Sequence, residues 1–153
     1  MDGGSRQCLP NIKAFHKKGC IVTAFCESKM DVGYVYKYTD RKVLHHIEHS
    51  NEAQAWEEVR KEISTGLYDL VIPMQDFYAT ILSKHKEELS KYANIYVNDW
   101  AVYRKAIDKL DTMMLCMDNN IPCPRTAVVK SASEIDDSQW QYPLVIKPRT
   151  GFG

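Results

Sequence analysis

Tyr68-Asp69-Leu70-Val71-Ile72-Pro73 decides the fold. It is a short apolar run closed by proline, the pattern of a strand buried on both faces. Cys20-Ile21-Val22-Thr23-Ala24-Phe25-Cys26 upstream and Asn94-Ile95-Tyr96-Val97 downstream share that pattern. Helical stretches separate them. Trp56, Val59, Ile63 and Leu67 recur at helical spacing, Asn51 and Gln54 form a capping pair, and Gly66 lies near the end. Asp76 reads as the N-cap of a helix through about residue 89, and residues 6–18 as a helix with the stripe Leu9, Ile12 and Phe15, stopped by Gly19. Residues 28–40 read as loop with short elements and 42–46 as a short strand. Strand, helix, strand, helix, strand with short links predicts an α/β fold: a parallel sheet with helices on both faces. Such sheets bind ligands outside the carboxyl ends of their strands, so the loops after Cys26, Pro73 and Val97 are expected on one rim.

Near residue 99 the pattern changes. Two helical stretches, 99–105 and 107–119, lead to Ile121-Pro122-Cys123-Pro124, where two prolines forbid a helix. Residues 126–130 and 142–147 read as strands, with Ser131 and Glu134 as a capping box between them. The expected domains are 1–98 and an incomplete second one, 99–153. Asp2-Gly3-Gly4-Ser5 reads as a glycine turn leading into a helix. Such a turn normally follows a first strand, yet only Met1 precedes it; either the start is truncated or the sheet lacks that strand.

The chain has 153 residues, 44% hydrophobic and 26% charged, with a formal net charge of zero. That is ordinary globular composition, and no basic excess argues for nucleic acid. No apolar run approaches the roughly 20 residues of a membrane helix. The first residues lack the apolar segment of a signal peptide, so a cytoplasmic protein is expected. Five cysteines in no C-x-x-C pair point to buried or incidental thiols rather than zinc or a disulfide framework. His45-His46-Ile47-Glu48-His49 places two imidazoles four apart but lacks the H-E-x-x-H order, and it reads as a polar surface segment; no residue is assigned to a metal. The first turn also lacks the full G-x-G-x-x-G of a dinucleotide site.

Three features carry candidate chemistry: Asp108-Lys109, the strand Tyr142-Pro143-Leu144-Val145-Ile146-Lys147-Pro148, and Arg149-Thr150-Gly151-Phe152-Gly153 directly after it. Lysine is a compact cation suited to single phosphate oxygens, and glycines let backbone approach a phosphate closely. Each feature alone also reads as a surface lysine, a strand-edge lysine or a plain loop. In this order, and with Asn120-Ile121-Pro122-Cys123-Pro124 between them, they resemble the ATP-grasp superfamily, particularly the carbamoyl-phosphate synthase large chain and biotin carboxylase. Upstream, Gly3-Gly4-Ser5-Arg6 and Val71-Ile72-Pro73-Met74-Gln75-Asp76 resemble the Rossmann-like domain that precedes the ATP-grasp domain in that family.

The resemblance implies an ATP-dependent carboxylate ligase, in which ATP with Mg2+ phosphorylates a small-molecule carboxylate and an amine or other nucleophile displaces the phosphate. It implies that Lys109 and Lys147 contact ATP phosphates and that the loop holding Arg149, Gly151 and Gly153 folds over them. Gly4, Ser5 and Asp76 would face the acceptor substrate; a turn and a helix cap are their plainer readings. Asp108 would serve in a cap or a pair. The family's metal ligands lie beyond the residues matched, so this portion alone is expected to be inactive. The alternative is a non-catalytic α/β module that binds a ligand or partner.

Overall fold

The run at 20–26 forms β1 (Thr23–Cys26), which pairs in parallel with β2 (Arg41–Leu44), Thr23 opposite Arg41 and Cys26 opposite Leu44. β3 (Leu70–Val71) pairs in parallel with β4 (Asn94–Ile95). The structure is a computed structural model and describes residues 1–151. It is mixed α/β with two small parallel sheets, where the sequence predicts one continuous sheet with longer third and fourth strands. The physical reason lies in who satisfies the carbonyls between β1 and β3. The amino group of Met1 donates to the Ile72 carbonyl at 2.6 Å, and the Gly3 N–H donates to the Phe25 carbonyl at 2.7 Å. The N-terminal segment takes these acceptors, and the two strands share no ladder.

α1 (Cys8–Lys17) ends as its glycine predicts. Gly19 has φ of 81°; its N–H bonds the His16 carbonyl, and that of Cys20 bonds the Phe15 carbonyl, a Schellman closure. α3 (Glu52–Ile63) is capped by Asn51, whose side chain accepts the Gln54 N–H. It stops one turn earlier than the stripe predicts, because Gly66 adopts φ of 70° and leaves Leu67 in solvent. The helix expected over 76–89 divides into α4 (Asp76–Lys84) and α5 (Lys86–Leu89) at His85, whose ring stacks on Trp56 with centroids 3.7 Å apart. Gln75, not Asp76, is the residue before α4. Within the stretch read as loop, Val32–Val35 makes one helical turn, α2.

The chain divides into two compact units, Met1–Trp100 and Ala101–Gly153. The first holds the core. Val59 and Ile63 of α3 and Ile81 and Leu82 of α4 are buried with Leu89, Phe25 and Ile95; side chains of this kind contribute about 1.5–3 kcal/mol each when buried. A second cluster, Cys8, Ile12, Ala24 and Cys26, packs α1 on β1. A histidine sits inside this core. His45, just after β2, is buried beneath Phe25, its ring stacked at 4.1 Å. Its Nδ1 accepts the Ile47 N–H at 3.3 Å, which leaves the proton on Nε2, 3.1 Å from the Tyr78 hydroxyl.

In the second unit, α6 (Trp100–Ile107) runs on from the boundary and α7 (Lys109–Asp118) follows. Asp108, placed within the helical stretch 107–119 with a cap as one of its readings, has ψ of 113° and caps α7. The strands expected at 126–130 and 142–147 do not form; no ladder partner for either lies among the described residues. The capping box is partial: Glu134 accepts the Lys130 N–H, Ser131 makes no side-chain cap bond, and Ala132–Glu134 is a short 3-10 turn. None of the described side chains from 101 onward is buried, and Leu115, Ile121, Val145 and Ile146 stand in solvent. This unit therefore draws little stability from apolar burial.

Two outcomes follow for stability. A Cβ at Gly33 would lie 2.8 Å from the Gly3 carbonyl oxygen and 3.0 Å from its Cα, backbone atoms that cannot step aside. Gly33→Ala is expected to cost about 1–3 kcal/mol in urea unfolding. Gly4→Ala, whose nearest neighbours are 3.6 Å away, should stay within about 0.5 kcal/mol of the parent. Burial holds His45 below the usual imidazole range. The folded state then binds fewer protons than the unfolded one, so stability falls as pH drops below about 6.5. His45→Gln should flatten that part of the pH–stability curve.

Candidate functional site

At the carboxyl end of β1 the N-terminal turn lies directly on the strand. Gly3 donates to Phe25, and its own carbonyl accepts the Gly33 N–H at 2.7 Å. Asp2 precedes it with φ of 72°, a left-handed backbone that aspartate tolerates better than most residues. The loop after β1 is closed by Asp31, whose Oδ2 accepts the N–H groups of Glu27 and Ser28 at 2.8 and 3.2 Å. Gly4 is exposed between these carboxylates: the space over its Cα lies 3.6 Å from Oδ1 of Asp2 and from Oδ1 of Asp31. Ser5 is half-buried and its hydroxyl accepts the Gln7 N–H at 3.4 Å.

The loops after β2 and β3 meet the same rim. His49 bonds Glu27 at 2.7 Å and stacks on Phe77 at 4.3 Å. Phe77 follows Asp76, the exposed first residue of α4. Met1 ties the turn to Ile72, and Asn11 of α1 reaches Met74 at 3.5 Å. Gly4 thus lies between Asp2 and Asp31 with Ser5 next in the turn, while Asp76 stands at the start of α4. Sequence reasoning missed Asp2, Glu27, Asp31 and His49. An aspartate directly before two glycines was the one local signal for Asp2.

The rim is acidic. Asp2 is 9% exposed, and its Oδ2 has no hydrogen-bond partner. Burial pushes its carboxyl above the ordinary range, against the Ser5 N–H and the terminal amine, which favour the ionised form; Glu27 adds to the rise. Carboxylates so placed accept hydrogen bonds from ammonium or hydroxyl groups. They do not neutralise an anion.

The second unit holds a separate cluster. Asp108 Oδ1 accepts the Leu110 and Asp111 N–H groups at 2.9 and 3.2 Å, which starts α7. Arg149 grips the same carboxylate, NH2 to Oδ2 at 2.6 Å and Nε to Oδ1 at 3.3 Å, and holds the Asp108 carboxyl below the usual range. The Lys109 N–H donates to the Arg149 carbonyl at 2.9 Å, and its ammonium donates to the Gly151 carbonyl at 2.8 Å. Residues 42 apart in sequence are thereby joined. Lys147 is exposed nearby in sequence. Gly153 lies outside the described residues.

Among the described residues no three His, Cys, Asp or Glu side chains converge to hold a metal ion. The histidines at 45, 46 and 49 do not share a face: His45 is buried on Tyr78, His46 is exposed, and His49 pairs with Glu27. No described helix is long and apolar enough to cross a membrane.

No family model matches the chain. Over 84 residues it is 27% identical to D-aspartate ligase of Enterococcus faecium (strain Aus0004), an alignment covering 52% of this chain and 20% of that protein. The chain spans about a fifth of the length of this curated relative. The similarity is to a ligase; no solved structure matches.

Asp2→Asn removes a buried charge while keeping an acceptor for the Ser5 N–H. It is expected to raise stability near pH 7 by about 1 kcal/mol, measured by urea unfolding, because a buried carboxylate with one unpartnered oxygen costs more than an amide. The gain should shrink as pH falls and the wild-type carboxyl takes up its proton.

Proposed function

We propose that the chain is the front portion of an ATP-dependent ligase of the ATP-grasp type. Residues 1–98 are its Rossmann-like preceding domain and 99–153 the start of the ATP-grasp domain. The observation that carries this reading is the junction of Lys109 with the glycine-rich segment at Arg149 and Gly151, two motifs far apart in sequence. The similarity to a ligase supports it independently.

The residues present fit phosphate. Lysine has three ammonium donors, so Lys109 can keep the Gly151 carbonyl and still offer two to phosphate oxygens. Lys147 is exposed and adds a second cation. Gly151, with φ of 78°, lets the loop present backbone to the ligand without a side chain in the way. The described residues do not fit Mg2+, and none is assigned to it. When bound, ATP supplies a phosphoryl group to a substrate carboxylate, and an amine or other nucleophile then displaces phosphate. Lys109 and Lys147 neutralise the phosphates, and the loop after Lys147 covers them.

Gly4, Ser5 and Asp76 face the acceptor. The acidic rim of Asp2 and Asp31 beside Gly4 favours an amine among the possible nucleophiles. The relative is named for ligating D-aspartate, an amino acid that carries such a group. A cytoplasmic location accords with small-molecule substrates of this kind.

Lys147→Ala in the full-length protein should weaken Mg-ATP binding at least about tenfold, read by titration calorimetry. Unchanged affinity would remove Lys147 from the site. If the unaltered protein binds no ATP, the buried core of the first unit supports the remaining reading, a non-catalytic α/β binding module.

A further inference from the structure

The resemblance makes Arg149 a phosphate ligand; its contacts give it another task. Its guanidinium is already spent on two carboxylates: a two-point grip on Asp108 at 2.6 and 3.3 Å, with Asp111 Oδ1 at 3.5 Å. The forked geometry matches a carboxylate as a lysine cannot. Exposed ion pairs are usually weak, and Arg149 is 54% exposed. Asp108 is different: its side chain is 16% exposed, and Oδ1 is fixed by two N–H groups of α7. One carboxylate therefore serves two segments at once. It starts α7, and it pins the first residue of the glycine-rich segment.

Main-chain contacts run alongside. The Lys109 N–H holds the Arg149 carbonyl, and the Lys109 ammonium holds the Gly151 carbonyl. To reach a phosphate, Arg149 would have to abandon both carboxylates and leave the Asp108 charge unpaired. Lys109 pays no such penalty, since its neighbours need only one of its three donors.

We propose that Asp108 and Arg149 form a clamp that sets the glycine-rich loop against Lys109, so that Arg149 is a positioning residue and not a phosphate ligand. This rests on the ATP reading above. Asp108 fixes the loop's starting point, and the Gly151 carbonyl aims the lysine. Losing either side of the clamp frees the loop and misplaces the ammonium together.

The test uses the full-length protein with Asp108→Asn, Arg149→Met, Arg149→Lys and the Asp108→Asn/Arg149→Met pair. Asparagine keeps the α7 cap, so α7 should remain. Two quantities are read: the Kd for Mg-ATP by calorimetry, and amide hydrogen exchange at Lys109, whose N–H bonds the Arg149 carbonyl, without nucleotide. Each single change should weaken Mg-ATP about tenfold and speed exchange by a similar factor, with the double variant no worse than either single. Arg149→Lys should match Arg149→Met, because the charge alone does not rebuild a two-point grip. Rescue by Arg149→Lys, or additive losses in the double variant, would make Arg149 a direct phosphate contact and overturn the proposal. Unchanged exchange in Asp108→Asn would overturn the clamp itself. Faster exchange in a protein that binds no Mg-ATP even when unaltered would overturn the ATP reading and the positioning role with it, while the contact between the two segments would stand.

Discussion

The missing side chain of Gly3 is the constraint on which the first unit depends. Its N–H and carbonyl bond Phe25 and Gly33 at once, both at 2.7 Å, and a Cβ there would strike the Cys26 sulfur. That double contact presses the N-terminal turn onto the end of β1. It brings Asp2 and Gly4 beside Asp31 and draws the helical turn at Gly33 inward. Met1, carried along, reaches Ile72 at the end of β3. The two small sheets are thus linked by three residues of turn instead of by a shared ladder. The rim at their carboxyl ends is assembled by the same contacts.

The two units differ in what holds them. The first has α3 and α4 packed through Val59, Ile63, Ile81 and Leu82, with the His45–Tyr78 pair satisfied inside that core. The second has no buried side chain among its described residues and is held by polar contacts, among them the cluster at the N-terminus of α7 and the Arg125 contact with the Gln139 carbonyl. Hydrogen bonds and ion pairs fix direction well and contribute little net stability when exposed.

Much of the first unit was legible because its signals are local. The stop at Gly19 and the cap at Asn51 need only a few neighbouring residues, and both form as the pattern predicts. The break at His85 was not legible, since it depends on Trp56 stacking from another helix. The strands at 126–130 and 142–147 failed for a related reason: apolar, β-branched sequence makes a strand only where a ladder partner exists. Of the candidate site, Lys109 and the residues after Lys147 could be picked out by type and order. Their meeting could not, because it rests on Asp108 serving as both cap and partner. The acidic character of the rim was hidden because its residues lie far apart in sequence. Asp2, Glu27, Asp31 and His49 are spread over nearly 50 residues and converge only in the fold.

Phosphate recognition by Lys109 and Lys147 is the claim from which the rest of the functional account proceeds. It is tested most directly by determining the structure of the full-length protein with Mg2+ and a non-hydrolysable ATP analogue. The account predicts phosphate oxygens about 2.7–3.2 Å from both lysine ammonium groups, with Arg149 still on Asp108. An analogue bound with its phosphates away from both lysines would contradict it.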